Sequence, residues 1–166
     1  MSHIKKEYVI IIVISLGIFL LDRLTKFLVL DFFENTATTE LYINNFINLL
    51  LIWNDGIAFG LLNFSDQKIY NIITIIILFV SIAVLIMALK SKTYEIYFFS
   101  MIFGGATGNL FDRVKYNTVP DFIDLHINNY HWFIFNVADI FISVGIICLI
   151  FDEIFLKKNI KKKNEN

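Results

Sequence analysis

From Tyr8 to Leu30 the chain runs almost unbroken through apolar side chains, and it does so again from Ile69 to Leu89, Glu95 to Phe111 and Trp132 to Leu156. A helix needs about 20 apolar residues to cross a hydrocarbon core of about 30 Å, so runs of this length point to a helical membrane protein before any other feature is weighed. The third run is the shortest and carries Gly104, Gly105, Gly108 and Asn109. At 57% hydrophobic residues the chain is too apolar for an ordinary soluble fold, and 166 residues make one domain, 1–166.

Charge orients the four spans. Lys5, Lys6, Lys90, Lys92 and the tail lysines Lys157, Lys158, Lys161, Lys162 and Lys163 fall on one side, against Lys68, Arg113 and Lys115 on the other. Cytoplasmic loops carry the excess of lysine and arginine, so both termini are expected in the cytoplasm. The outer loops, about 31–68 and 112–131, are long beside the turn near 90–93, which favours an outer site. Lys5 and Lys6 ahead of Tyr8–Leu21 imitate a secretory leader. DRLTKFLVL follows with no small-residue cleavage site, so the segment is expected to stay as a membrane helix. The lone Cys148 excludes an intrachain disulfide, and the tail KKNIKKKNEN reads as a solvated basic end within reach of anionic lipid.

Within these runs a few polar residues demand explanation, because an aspartate at a helix centre costs about 2.5 to 3.5 kcal/mol on insertion scales. At about 1.5 Å per residue, Asp22 on the first run and Asn109 on the third reach similar heights, and Asp139 lies about 10 Å inward from Trp132. All three therefore converge on the outer third of the bilayer. Asp22 and Lys26 are four apart and share a helix face, where each neutralises the other. Arg23 points elsewhere, to headgroups or to another helix. Asp139 has no cation at i±3 or i±4, so its partner comes from another part of the chain: Asp112, Arg113, Asp121 or Asp124. Two carboxylates in contact do not readily ionise together; they share one proton and can hold and activate a water. An ion pair with Arg113 is the structural alternative.

Other chemistries lack their residues. There is no H-E-x-x-H, and His3, His126 and His131 lack metal-ligand spacing; there is no G-x-S-x-G and no glycine-rich phosphate loop. Nothing suggests nucleic acid. His131 and Trp132 read as interfacial residues at the outer end of the fourth span.

Five blocks, in order between residues 22 and 140, resemble the lipoprotein signal peptidases, the type II signal peptidases of bacteria: DRLTK from Asp22, WNDGIAF from Trp53, GGATGNLFDR from Gly104, VPDF from Val119 and FNVADI from Phe135. The resemblance implies an all-α integral membrane fold of four transmembrane helices, with a small extracytoplasmic β-sheet and a surface-lying helix supplied by the first outer loop. It implies an aspartic peptidase whose catalytic pair is Asp121 and Asp139. Asn54, Gly56, Gly108, Asn109, Arg113 and Asn136 match residues that shape the site, bind substrate or stabilise the fold, and Asp22 and Lys26 match the polar pair of the first helix. The family more often has Gln where Arg23 stands. The implied substrate is a prolipoprotein whose cysteine bears a diacylglyceryl group, cut just before that cysteine by a monomer among membrane lipids, with no metal or cofactor. The implied place is the bacterial cytoplasmic (inner) membrane, with the active site in the outer leaflet. The rival reading is a small proton- or ion-conducting transporter subunit lined by Asp22, Lys26, Asn109 and Asp139.

Overall fold

The computed structural model describes residues 6–56, 67–91, 94–128 and 130–157. Four helices dominate it: α1 (Lys6–Thr36), α2 (Gln67–Lys90), α3 (Glu95–Tyr116) and α4 (Val137–Phe151), the last continuing into a wide π-type turn at Asp152–Lys157. α3 lies at the centre, packed on α4, α1 and α2. Its glycines allow this. A Cβ at Gly105 would stand 2.5 Å from the Ala138 carbonyl oxygen of α4, so only glycine lets these two backbones approach so closely.

An antiparallel sheet in the order β1-β2-β3-β4 covers one end of the bundle, with β1 at Glu40–Tyr42, β2 at Ile47–Asn54, β3 at Val119–Ile127 and β4 at Tyr130–Phe135. The segment between α1 and α2 supplies β1 and β2, and β3 and β4 follow α3. α3 stops where Asn117 turns left-handed at φ 57° and its N–H closes on the Arg113 carbonyl. Pro120 then disfavours helix at Val119, and the chain leaves extended.

The spans expected from hydropathy shift accordingly. α3 runs past Phe111 to Tyr116, and so takes Asp112, Arg113 and Lys115 into the helix. The fourth expected span divides: its first residues, Trp132–Phe135, belong to strand β4 (YHWFIF), which pairs with β3, and the helix starts only after Asn136 caps it. Aromatic and β-branched residues suit a strand as well as an apolar helix, which is why hydropathy merged the two. His131 and Trp132 therefore lie on β4, and Asp139 lies in the first turn of its helix rather than deep inside it. Among the described residues no further helix stands between α1 and α2. Residues 57–66 lie outside the description, as do Lys5, Lys92 and the lysines beyond residue 157.

The fold is inverted relative to a water-soluble protein. Ile12, Val13, Leu16, Leu20, Leu24 and Phe27 of α1, with Ile72, Ile75, Ile76 and Phe79 of α2, are exposed, while the most deeply buried side chains include Asp22, Asp112, Asp124 and Asn136. α1 and α2 are each long and apolar enough to cross a membrane, and most of their side chains face outward. A smaller apolar cluster of Ile11, Ala88, Ile96 and Phe99 fills the end away from the sheet.

Candidate active site

Asp121 is delivered by β3 and Asp139 by the first turn of α4, and Asn136 joins them. The Asn136 side-chain amide donates to Asp121 Oδ1 at 2.6 Å, and its backbone N–H donates to Asp139 Oδ2 at 3.3 Å. In return its side-chain oxygen accepts from the Asp139 backbone N–H at 3.2 Å. This reciprocal capping box starts α4 and fixes both carboxylates with one residue. Each aspartate has a second amide donor: Asn54 reaches Asp121 Oδ2 at 2.8 Å from the end of β2, and Asn109 reaches Asp139 Oδ1 at 2.7 Å from α3.

Around this pair the other sequence-derived residues assemble. The Asn54 side-chain oxygen accepts from the Gly56 N–H at 2.8 Å, and Arg113 donates to the Gly56 carbonyl at 2.6 Å while lying over the Tyr70 ring. Arg113 keeps Nε and Nη1 buried and without a hydrogen-bond partner among the described residues. Lys26 donates to Asn109 Oδ1 at 3.0 Å and so orients the amide that holds Asp139. Asp22 accepts from the Ala138 N–H at 3.1 Å, placing a carboxylate of α1 at the positive end of α4. Gly108 leaves room for it: a Cβ there would stand 2.7 Å from Asp22 Oδ2.

The Asp22–Lys26 pair forms, at 3.1 Å, but it is half of a larger cluster. Asp112 of α3 bonds Lys26 at 2.6 Å and takes a two-pronged contact from Arg23, which also reaches Asp22 at 2.6 Å. Two carboxylates thus meet two cations, and the Phe111 ring lies under the guanidinium. Asp112 had figured only as a possible partner for Asp139. The charge count on α1 was the available signal, since Asp22 cannot neutralise both Arg23 and Lys26. Asp124 turns away from the pair, its carboxylate meeting His131 Nδ1 at 2.8 Å.

An Asp22→Ala variant follows from this cluster. It leaves one cation in excess in a buried site, where breaking an ion pair costs about 3 to 5 kcal/mol. Removing Lys26 as well restores balance through Arg23 and Asp112. The double variant should therefore melt at a higher temperature in detergent than Asp22→Ala alone, though below the wild type; strictly additive losses would argue against the cluster.

Burial pushes the Asp121 carboxyl from its ordinary 3.8 up to about 6, with the neighbouring Asp139 charge adding to the rise and the Asn54 and Asn136 amides opposing it. From this polar end a cavity of about 260 Å³ runs between the helices, walled by Ile77, Val80 and Val84 of α2, Ile102 of α3, and Ile142 and Ile146 of α4. Such a site offers paired acid and base groups at one end and an apolar slot for a greasy ligand along the rest.

Fold and site together define a membrane enzyme, and the comparisons specify which. A family model described as Signal peptidase (SPase) II matches residues 14–155. The lipoprotein signal peptidase of Pelagibacter ubique is 50% identical over 160 residues, 96% of this chain and 95% of that protein. That of Thermodesulfovibrio yellowstonii is 37% identical over 145 residues, 87% and 90% of the two chains. A solved structure described as a bacterial membrane enzyme is similar with a TM-score of 0.67 and 31% identity, over 87% of this chain and 89% of that one. The chain belongs to the signal peptidase II family and is a protease of that class.

Proposed function

We propose that the chain is a membrane-embedded aspartic endopeptidase that removes the signal peptide from diacylglyceryl-modified prolipoproteins, cutting immediately before the lipidated cysteine. One observation carries this reading: two buried carboxylates, Asp121 and Asp139, joined by Asn136 at the polar end of an apolar cavity. The names of the relatives supply the substrate class. The substrate's acyl chains and the apolar part of its signal peptide match the aliphatic walls of the cavity, and the Arg113 N–H groups that have no partner among the described residues suit its peptide carbonyls.

In the mechanism, Asp121 carries the shared proton and Asp139 is ionised. Asp139 takes a proton from a water held between them as the water oxygen attacks the scissile carbonyl carbon, and Asp121 gives its proton to the carbonyl oxygen. As the tetrahedral intermediate collapses, Asp139 passes its proton to the departing amine and Asp121 recovers one from a hydroxyl. General acid–base assistance of this kind is worth about 10² to 10⁴ in rate.

All four helices act as spans in this reading, with the sheet on the outer side, both termini cytoplasmic, and a monomer sufficient for the chemistry. The pair then lies in the outer leaflet of the cytoplasmic membrane, where the substrate's lipid holds the scissile bond. Topology is checked by labelling single cysteines in a Cys148→Ala background of intact cells. Asn45→Cys should react with an impermeant reagent from outside and Lys90→Cys should not; the reverse pattern would reject the orientation. In proteoliposomes the purified chain should shorten a lipidated precursor without conducting protons or ions. Flux without processing would favour the transporter reading, which already sits poorly with its supposed lining residues Asp22, Lys26, Asn109 and Asp139 being bonded into one cluster beside the Asp121 carboxylate.

A pH dependence follows from Asp121. The folded chain holds its proton more tightly than the unfolded chain, so this residue's contribution to stability is full below 3.8 and is lost as pH rises through about 6. Activity has the same upper limit, because a doubly ionised pair has no proton to give. For the free enzyme kcat/KM should fall about tenfold per pH unit above that value. A profile flat from pH 5 to 9, probed at about unit steps, would contradict Asp121 as the acid.

A further inference from the structure

Away from the dyad, three side chains that commonly ligate metals converge on the β3–β4 hairpin. Asp124 and His126 stand on β3, and His131 of β4 is the cross-strand partner of His126. Asp124 Oδ2 lies 2.8 Å from His131 Nδ1 and 3.6 Å from His126 Nδ1, the two imidazoles stack with centroids 5.2 Å apart, and one ligating atom from each residue falls within 4.8 Å of the others. Asp124 and His126 are 1% and 8% exposed, whereas the His131 side chain is 52% exposed. The fold itself makes no use of one atom here. His126 Nδ1 is shut off from solvent, has no hydrogen-bond partner among the described residues, and sits too far from Asp124 to bond it.

We propose that Asp124, His126 and His131 form a binding site for a divalent transition-metal ion of the Zn²⁺ type. Two imidazoles and one carboxylate are a donor set for such an ion, whereas Ca²⁺ and Mg²⁺ want shells of oxygen. Zinc bonds to nitrogen and oxygen are about 2.0 to 2.2 Å, so the ligating atoms must draw in to about 3.3 Å of one another. His131 is the arm free to make that movement, since the other two are packed in place. The ion displaces a proton or hydrogen bond between Asp124 and His131 and gives the orphaned His126 nitrogen a partner. Residue spacing along the chain set these histidines aside; pairing across strands supplies the proximity that spacing lacked. The consequence is a staple between β3, which carries Asp121 three residues upstream, and β4, which leads into Asn136. The site is independent of the peptidase reading, and its test reads metal binding and not cleavage.

The experiment uses the full chain, purified in detergent without a polyhistidine tag, stripped with chelator and titrated with Co²⁺ and then Zn²⁺. The wild type should take up about one equivalent of Co²⁺ with a visible absorption band that Zn²⁺ displaces, and Zn²⁺ should raise its melting temperature. His131→Ala and Asp124→Asn should each weaken binding at least about tenfold. Should a variant fail to fold, wild-type protein still decides the matter: Zn²⁺ should protect His131 from imidazole acylation, mapped by peptide mass. Absence of saturable binding to the wild type, equal affinity in folded His131→Ala, or unprotected His131 at saturating Zn²⁺ overturns the proposal.

Discussion

Asp121→Asn and Asp139→Asn are each expected to abolish cleavage of a diacylglyceryl-modified precursor, with losses of at least about 10² to 10⁴ in rate, while both variants should still insert and bind substrate. Each change keeps size and most hydrogen bonding but removes the group that carries the proton. Asp124→Asn, assayed in chelator, should keep substantial activity, because the Asp124 oxygens meet His131 and not the pair. The measurement is precursor shortening by matched amounts of each folded variant in detergent. An active Asp121→Asn beside a dead Asp124→Asn would overturn the dyad assignment. Normal cleavage by both dyad variants would remove the aspartic mechanism altogether.

Asn136→Ala is expected to be nearly as damaging, although Asn136 exchanges no proton. The change takes the donor from Asp121 Oδ1 and the acceptor from the Asp139 backbone N–H. Loss of the cap alone costs about 0.5 to 2 kcal/mol, which lowers the melting temperature. The larger effect is on geometry. A misplacement of about 1 Å at reacting groups costs about 10² in rate, so kcat should fall by that order in protein that remains folded. A second readout separates positioning from mere destabilisation. The Asn136 amide opposes the rise in the Asp121 pKa, so its removal should move the alkaline limb of kcat/KM to higher pH. A melting-point loss with kcat and the pH profile unchanged would reduce Asn136 to a helix cap.

The helical periodicity exposed some of this and concealed the rest. Asp22 and Lys26 were readable as a pair because four residues make one turn, and the structure has them 3.1 Å apart. Their tie to Asp112 crosses to another helix, where no local spacing reports it. Spacing alone does not separate Asp121 from Asp124, since a helix would place both on one face and a strand on opposite faces. The choice was made by partners distant in sequence: Asp121 pairs with Ile52 of β2, and Asp124 with Asn48 of β2 and Ile134 of β4. The adjacent β3–β4 hairpin took Trp132–Phe135 out of the fourth span. Asp139 was expected about 10 Å inward on a helix starting at Trp132, five residues too early, yet it still meets Asn109, because α4 begins beside the part of α3 that carries Asn109. The motif blocks pointed to Asp121, Asp139 and Asn136 together, and the hydrogen bonds that join them became visible only in the fold.

The most direct measurement takes purified wild-type chain and a precursor in two forms, with and without the diacylglyceryl group on its cysteine, and maps the products by mass. One cut is expected in the lipidated form, immediately before the modified cysteine, and none in the unmodified form. Lipidated precursor left intact by folded protein, or cleavage indifferent to the lipid, would contradict the proposed function.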